Sequence, residues 1–196
     1  MVFSDLFFLF VFIPLFMVCY LLANLWDKMR KNDCINQTAA RNAVLVVFSL
    51  IFYAWGEPTY VFLMIISVFI NYLVGIDIDK QNRHRKLALV IGLVCNLLVL
   101  GTFKYAGFIA ESLNLAGLPV PVPHIALPIG ISFYTFQSIS YLIDVYRKQA
   151  DSQKRFVDLL LYISMFPQLI AGPIVRYDLI AKEINSRHIT RTDVVE

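Results

Sequence analysis

Apolar runs of about 20 residues recur along this chain, the length at which a helix rising about 1.5 Å per residue crosses about 30 Å of hydrocarbon. They cover Phe3–Trp26, Thr38–Trp55, Thr59–Ile78 and Leu87–Ala110, and a fifth follows a proline-rich stretch at 119–123. With 59% hydrophobic and only 16% charged residues, a water-soluble fold would lack a polar coat. In lipid every backbone amide needs a partner within the protein, so such runs fold as helices. The expected class is all-α: a polytopic membrane protein with about five spanning helices and a broken or re-entrant sixth segment.

Charge sets the expected orientation. The loops 27–41, 77–86 and 147–155 carry four Lys or Arg each, and the connections between them carry none. The positive-inside rule then puts these loops in the cytoplasm and the N-terminus outside. The first run carries Ser4 and Asp5 at its start and no basic flank, as a retained helix does and a cleaved leader does not. Thr38 is suited to cap the second helix. Lys104 stands six residues before the end of the fourth run, within snorkelling reach of the interface, although a buried partner or a substrate role also fits. Cys19, Cys34 and Cys95 have no paired spacing, so neither a disulfide nor a metal site is expected. His84 and His188 fall in a basic loop and the tail, and His124 follows the proline run at the outer interface. Basic residues beside membrane spans are explained by the lipid surface, and no nucleic-acid pattern is present. Residues 178–196 mix both signs of charge and read as a polar loop or tail after a membrane domain at 1–177.

The stretch 119–177 carries the polar groups that lipid would reject. Tyr134, Gln137, Tyr141 and Asp144 share one helical face, and Ser132, Phe136, Ile139 and Ile143 another, mostly apolar. The next segment contains Pro167 and Pro173, with Gln168 beside the first. Irregular backbone at membrane depth survives only against protein or water. Tyr134, Gln137, Tyr141, Asp144 and Gln168 are therefore candidates to line a cavity. The alternative is that they only bond one another or a neighbouring helix. If the sixth segment crosses, Arg176, Lys182, Arg187 and Arg191 lie outside, against the charge rule; if it breaks and returns, they stay inside. Arg176 is a candidate cation for a negatively charged donor, or a snorkelling anchor.

The runs FYAWGEPTYVFLM, ALPIGISFYTFQSISYLIDVYR and FPQLIAGPIVRY closely resemble the membrane-bound O-acyltransferase family, and within it the bacterial branch that acetylates alginate and related exported glycans. The resemblance implies a multi-helix body around a funnel, in the bacterial cytoplasmic membrane. It implies an acyl donor such as acetyl-CoA or another thioester, no bound cofactor, and periplasmic or extracellular acetyl-transfer partner proteins. The family's catalytic histidine stands in a later segment absent from these 196 residues, so no catalytic residue is assigned here, and the 196 residues alone are expected to be inactive. A truncated, catalytically silent membrane fragment is the alternative; a transporter or channel on a similar scaffold is a third reading.

Overall fold

The apolar runs fold as helices almost without interruption. The structure is a computed structural model that describes residues 6–29, 38–80, 84–121, 126–171 and 175–185. Its elements are α1 (Ile13–Met29), entered through a π-helical turn at Phe8–Phe12, then α2 (Ala39–Gly56), α3 (Tyr60–Asp79), α4 (Arg85–Leu115), α5 (Ile131–Tyr146), α6 (Phe156–Ser164), α7 (Phe166–Ala171) and α8 (Tyr177–Asn185). No strand occurs among the described residues. Four stretches, Phe8–Met29, Ala39–Gly56, Tyr60–Asp79 and Arg85–Leu115, are long and apolar enough to cross a membrane. The fifth expected span, α5, has 16 residues, about 24 Å of helix, and packs against α3, α4, α6 and α8. The chain is an all-α, multi-pass membrane protein. His124, His188, Cys34 and Pro173 lie outside the described residues.

Because lipid tails are as apolar as leucine, close packing and interhelical hydrogen bonds hold such helices together. Both occur here. A Cβ added at Gly92 of α4 would stand 2.7 Å from Leu142 Cδ1 and 2.9 Å from Val74 Cγ1, so only glycine admits α3 and α5 this closely. Deeper in the bundle Asn71 and Asn96 exchange amide hydrogen bonds, Asn71 Nδ2 donating at 3.1 Å and Asn96 Nδ2 at 2.6 Å. Each also donates to the carbonyl four residues back, at 2.8 Å. Replacing Asn96 with Leu strands one buried amide and is expected to cost about 1–2 kcal/mol. The double Asn71→Leu/Asn96→Leu change removes both and is expected to cost less than either single one. Thermal unfolding of the four proteins in one detergent measures this coupling; simple additivity would contradict it.

The three basic connections gather at one end of the bundle. Asp27 accepts the backbone amides of Ala40 and Arg41 at 3.1 and 3.2 Å, Ser152 donates to Asp79 at 2.7 Å, and the Arg85 guanidinium lies 4.6 Å over the Tyr146 ring. Thr38 stands at the N-cap position of α2 but makes no capping bond with its side chain. Asp27 takes the amides Thr38 was expected to satisfy, and the Thr38 hydroxyl donates to Ile184 O at 3.1 Å. A second difference is the length of α4, which continues past Ala110 to Leu115 and stops at Gly117, whose φ of 89° ends the helix. Glu111–Leu115 is thus helix rather than linker. Lys104 follows Phe103, whose ring meets Tyr60, the first residue of α3, at 5.8 Å, and its ammonium lies 5.5 Å from the Tyr105 ring. That places it near a helix-end level, where snorkelling is easy.

The sixth segment breaks at Met165, with φ −52° and ψ 115°, two residues before Pro167. The proline has no N–H, and its ring would meet the carbonyl of Ile163 in a continuous helix. The chain therefore leaves α6 early and takes Pro167 into the first turn of α7, where a donor is not needed. The amide of Phe166 at the break donates to Ser49 Oγ of α2 at 3.2 Å. Protein, not lipid, satisfies the freed group.

Candidate functional site

The four polar positions of α5 all turn inward. Tyr134 and Tyr141 are 0% exposed, Gln137 2% and Asp144 4%, while Phe136 on the other face is 45% exposed. The helical spacing thus separates a protein-facing side from a lipid-facing one. This face is closed by side chains of α3, α6 and α8. The Tyr141 ring crosses α3 at Gly75, where an added Cβ would lie 2.7 Å from Tyr141 Cε1, and its hydroxyl accepts the Gln153 amide at 3.1 Å. Tyr177 stands edge-on to both Tyr141 and Tyr162, with ring centroids 4.9 and 5.3 Å apart. Burial, with Tyr141 next to it, pushes the Tyr177 phenol above its ordinary range, so it remains a neutral hydroxyl. Tyr162 donates to Val175 O at 2.7 Å, tying α6 to the chain that follows α7.

Asp144 meets Arg176, not the neighbouring Arg147. Arg176 Nη2 is 3.7 Å from Asp144 Oδ1, 3.0 Å from Asp178 Oδ2 and 2.9 Å from Gln149 Oε1. The backbone amides of Tyr177 and Asp178, opening α8, also face the Asp144 carboxylate, as suits an anion at a helix N-terminus. Gln149 is placed by the end of α5. The Lys148 amide bonds Val145 O and the Gln149 amide bonds Asp144 O, a Schellman turn whose left-handed position is held by Lys148 at φ 59° instead of the usual glycine. Three polar atoms of the α5 face, Tyr134 OH, Gln137 Oε1 and Asp144 Oδ2, and Ser164 Oγ of α6 are buried without a hydrogen-bond partner. Gln168 stands apart from Asp144: it is half-buried in α7, and its neighbour Leu169 lies against Gly130 at the opposite end of α5.

These contacts fix the course of the sixth segment. It starts at the end of the bundle that holds the basic loops and comes back to it, where Arg176 joins Gln149 and Ile184 O accepts from both Thr38 and Asn42. Asn42 Nδ2 further donates to Asp158 Oδ1 at 2.9 Å, and Asp158 pairs loosely with Arg155 at 3.7 Å. Sequence reasoning missed this second polar node. Its signal was the depth of the two residues: Asn42 and Asp158 both lie within the first turn of helices that begin on one face. A groove of about 760 Å³ lined by Leu97, Leu98, Gly101, Tyr105 and Phe108 of α4 is apolar and separate from this chemistry. Among the described residues no group of three His, Cys, Asp or Glu could hold a metal ion.

Comparison with known proteins follows the same outline. A probable alginate O-acetylase of Pseudomonas syringae pv. tomato is 38% identical over 195 residues, covering 95% of this chain and 35% of its own. Its counterpart in Azotobacter vinelandii is 40% identical over the same share of this chain. A peptidoglycan O-acetyltransferase of Helicobacter pylori is 35% identical over 160 residues, 68% of this chain and 30% of its own. No family model matches, and no solved structure does. The chain spans about a third of the length of the curated relatives it matches. With the all-helical membrane body and the motifs of α5 to α7, these similarities place the chain in the membrane-bound O-acyltransferase family, as the counterpart of the N-terminal portion of its alginate O-acetylase branch.

Proposed function

We propose that this chain is part of a membrane O-acetyltransferase that passes an acetyl group from a cytoplasmic thioester, such as acetyl-CoA, to an exported polysaccharide such as alginate. The observation that carries this reading is the similarity to alginate O-acetylases along 95% of the chain. The protein lies in the bacterial cytoplasmic membrane with its N-terminus outside and its basic loops in the cytoplasm, and it hands on acetyl groups with periplasmic or extracellular partner proteins. No bound cofactor is required. In the reaction the acceptor oxygen attacks the thioester carbonyl, a base takes its proton, and the thiolate leaves. This chain contributes the wall. Tyr134, Gln137, Tyr141 and Asp144 supply hydrogen-bonding groups in a space that lipid and bulk water do not enter, which strengthens each polar contact made there. Gln168 lines the far end, and Arg176 is the donor-side cation.

The test is made in a chain of the relatives' length, assayed for acetyl transfer at matched membrane abundance. Gln137→Leu removes an inward amide and is expected to lower the rate about tenfold or more, because an interaction near 1.4 kcal/mol is lost at the wall. Ile139→Leu, on the other face of α5, is expected to leave it unchanged. Equal rates in the two variants would return Gln137 to a packing role.

A further inference from the structure

We propose that Arg176 is a latch over the α5 polar face, and that a phosphate-bearing anion opens it by drawing the guanidinium away from Asp144 and Gln149. The inference rests on the reading of Arg176 as the donor-side cation and adds what its present contacts imply. The clamp joins two elements: Asp144 lies in the last turn of α5 and Gln149 just after it, while Arg176 immediately precedes α8 and Asp178 lies in its first turn. Its parts are unequal. Asp144 is held at 3.7 Å, beyond hydrogen-bond length, whereas Asp178 is held at 3.0 Å and moves with the same backbone. A ligand offering phosphate oxygens binds a guanidinium in a two-point, charge-assisted fashion, which the long Asp144 contact does not match.

The guanidinium is also the part of the clamp that solvent reaches. The Arg176 side chain is 52% exposed and that of Asp144 6%, so an anion approaching from the basic loops meets the arginine first. Arg147 and Lys148, both exposed, directly precede Gln149 in sequence and add positive charge at this end of α5, which raises the local concentration of anions. Once Arg176 turns outward, the start of α8 is held on α5 and α6 by the packing of Tyr177 against Tyr141 and Tyr162 and by the Tyr162 hydroxyl on Val175 O, without the charged clamp, and it parts from α5 more readily. The far end stays tethered, since Ile184 O keeps Thr38 and Asn42 at 3.1 Å. The helix then swings about that tether and uncovers Tyr177, Tyr141 and Asp144, the cytoplasmic mouth of the polar face. A donor thus opens its own way in, and without donor the buried groups stay shielded from water.

The probe is inorganic pyrophosphate, which carries the anionic chemistry and no acyl group. Spin labels are placed on Leu179→Cys in α8 and Lys80→Cys after α3, both exposed, with Cys19, Cys34 and Cys95 replaced by Ala and the protein in nanodiscs. Pyrophosphate is expected to raise the population at longer label distances about tenfold, as loss of one charged hydrogen bond allows, and sodium chloride of equal ionic strength is not. Arg176→Gln is expected to show the longer distances without ligand. Arg176→Lys, which keeps the charge but not the fork, is expected to fall between and serves if the Gln variant folds poorly. Identical distances with and without pyrophosphate, or an Arg176→Lys protein indistinguishable from the parent, would overturn the latch. Loss of acetyl transfer in the Gln137 variant bears only on the acyltransferase reading, because no acyl group enters this measurement.

Discussion

Gly75→Ala will destabilise the protein by about 2–3 kcal/mol, the scale of an overpacked core, although alanine is the better helix former. The added methyl would stand 2.7 Å from Cε1 and 2.9 Å from Cζ of Tyr141 and overlap its hydroxyl. Neither partner can give. Tyr141 is fully buried, blocked behind by the Tyr177 ring at 4.9 Å, and its hydroxyl is bonded to the Gln153 amide. Relief requires α3 and α5 to part, which would also loosen the loop at 147–155 and the α8 contact. Gly101→Ala is the matched control, because nothing lies within 4 Å of the position in α4 where its Cβ would be. It is expected to gain up to about 1 kcal/mol from the reduced freedom of the unfolded chain. Unfolding midpoints of the two variants in the same detergent should therefore move in opposite directions. A Gly75→Ala midpoint at or above the parent's would contradict the close crossing of α3 and α5.

Phe166→Ala carries a comparable penalty for a different reason, about 3–5 kcal/mol on the scale of buried phenylalanines. Phe166 is the first residue after the break, and its ring centroid lies 6.3, 5.7, 5.8 and 5.5 Å from those of Phe8, Phe12, Phe16 and Phe52. The π-helical turn at Phe8–Phe12 holds side chains four apart closer to one line than an α-helix would, so Phe8, Phe12 and Phe16 all reach it. Removing the ring opens a void that lipid cannot enter, beside the backbone amide that Ser49 must still hold. Phe136→Ala deletes an equally large ring from the lipid side and is expected to change little, since lipid takes its place. Digestion by an added protease reports the break directly: cleavage at 165–176 should appear in Phe166→Ala and not in Phe136→Ala. Equal resistance of both would mean that the cluster does not hold the break.

What was legible in the sequence was whatever depends on one helix at a time. The spacing of Tyr134, Gln137, Tyr141 and Asp144 is enough to put them on one face, and burial of all four follows once that face meets protein. Pro167 announces a break because a proline ring and a preceding helical carbonyl cannot share space. Contacts between segments were another matter. Asp144 and Arg176 are neighbours only because the chain turns back after α7, which the charge rule favoured and the sequence alone left open against a full crossing. Thr38 has the right chemistry for a cap, yet Asp27 reaches the same amides from the preceding helix, and no local pattern ranks the two. Asn71 and Asn96 each stand as an isolated polar residue in an apolar run. Their pairing follows from depth, since each lies about two to three turns from the basic end of its helix, but the rotation that brings the amides together is set by Gly75 and Gly92.

The segment from α6 to α8 enters and leaves on the face of the basic loops. Single cysteines at Lys80, Leu179 and Leu118, introduced into a protein without Cys19, Cys34 and Cys95, test it in intact cells with a membrane-impermeant maleimide. Lys80 and Leu179 flank the clamp face, and Leu118 lies in the turn at the opposite end of α4. The expected result is labelling of Leu118→Cys from outside, with Lys80→Cys and Leu179→Cys both protected until the membrane is permeabilised. Labelling of Leu179→Cys together with Leu118→Cys from outside would mean that the sixth segment crosses, and would contradict the fold, the latch and the placement of Arg176 on the donor side.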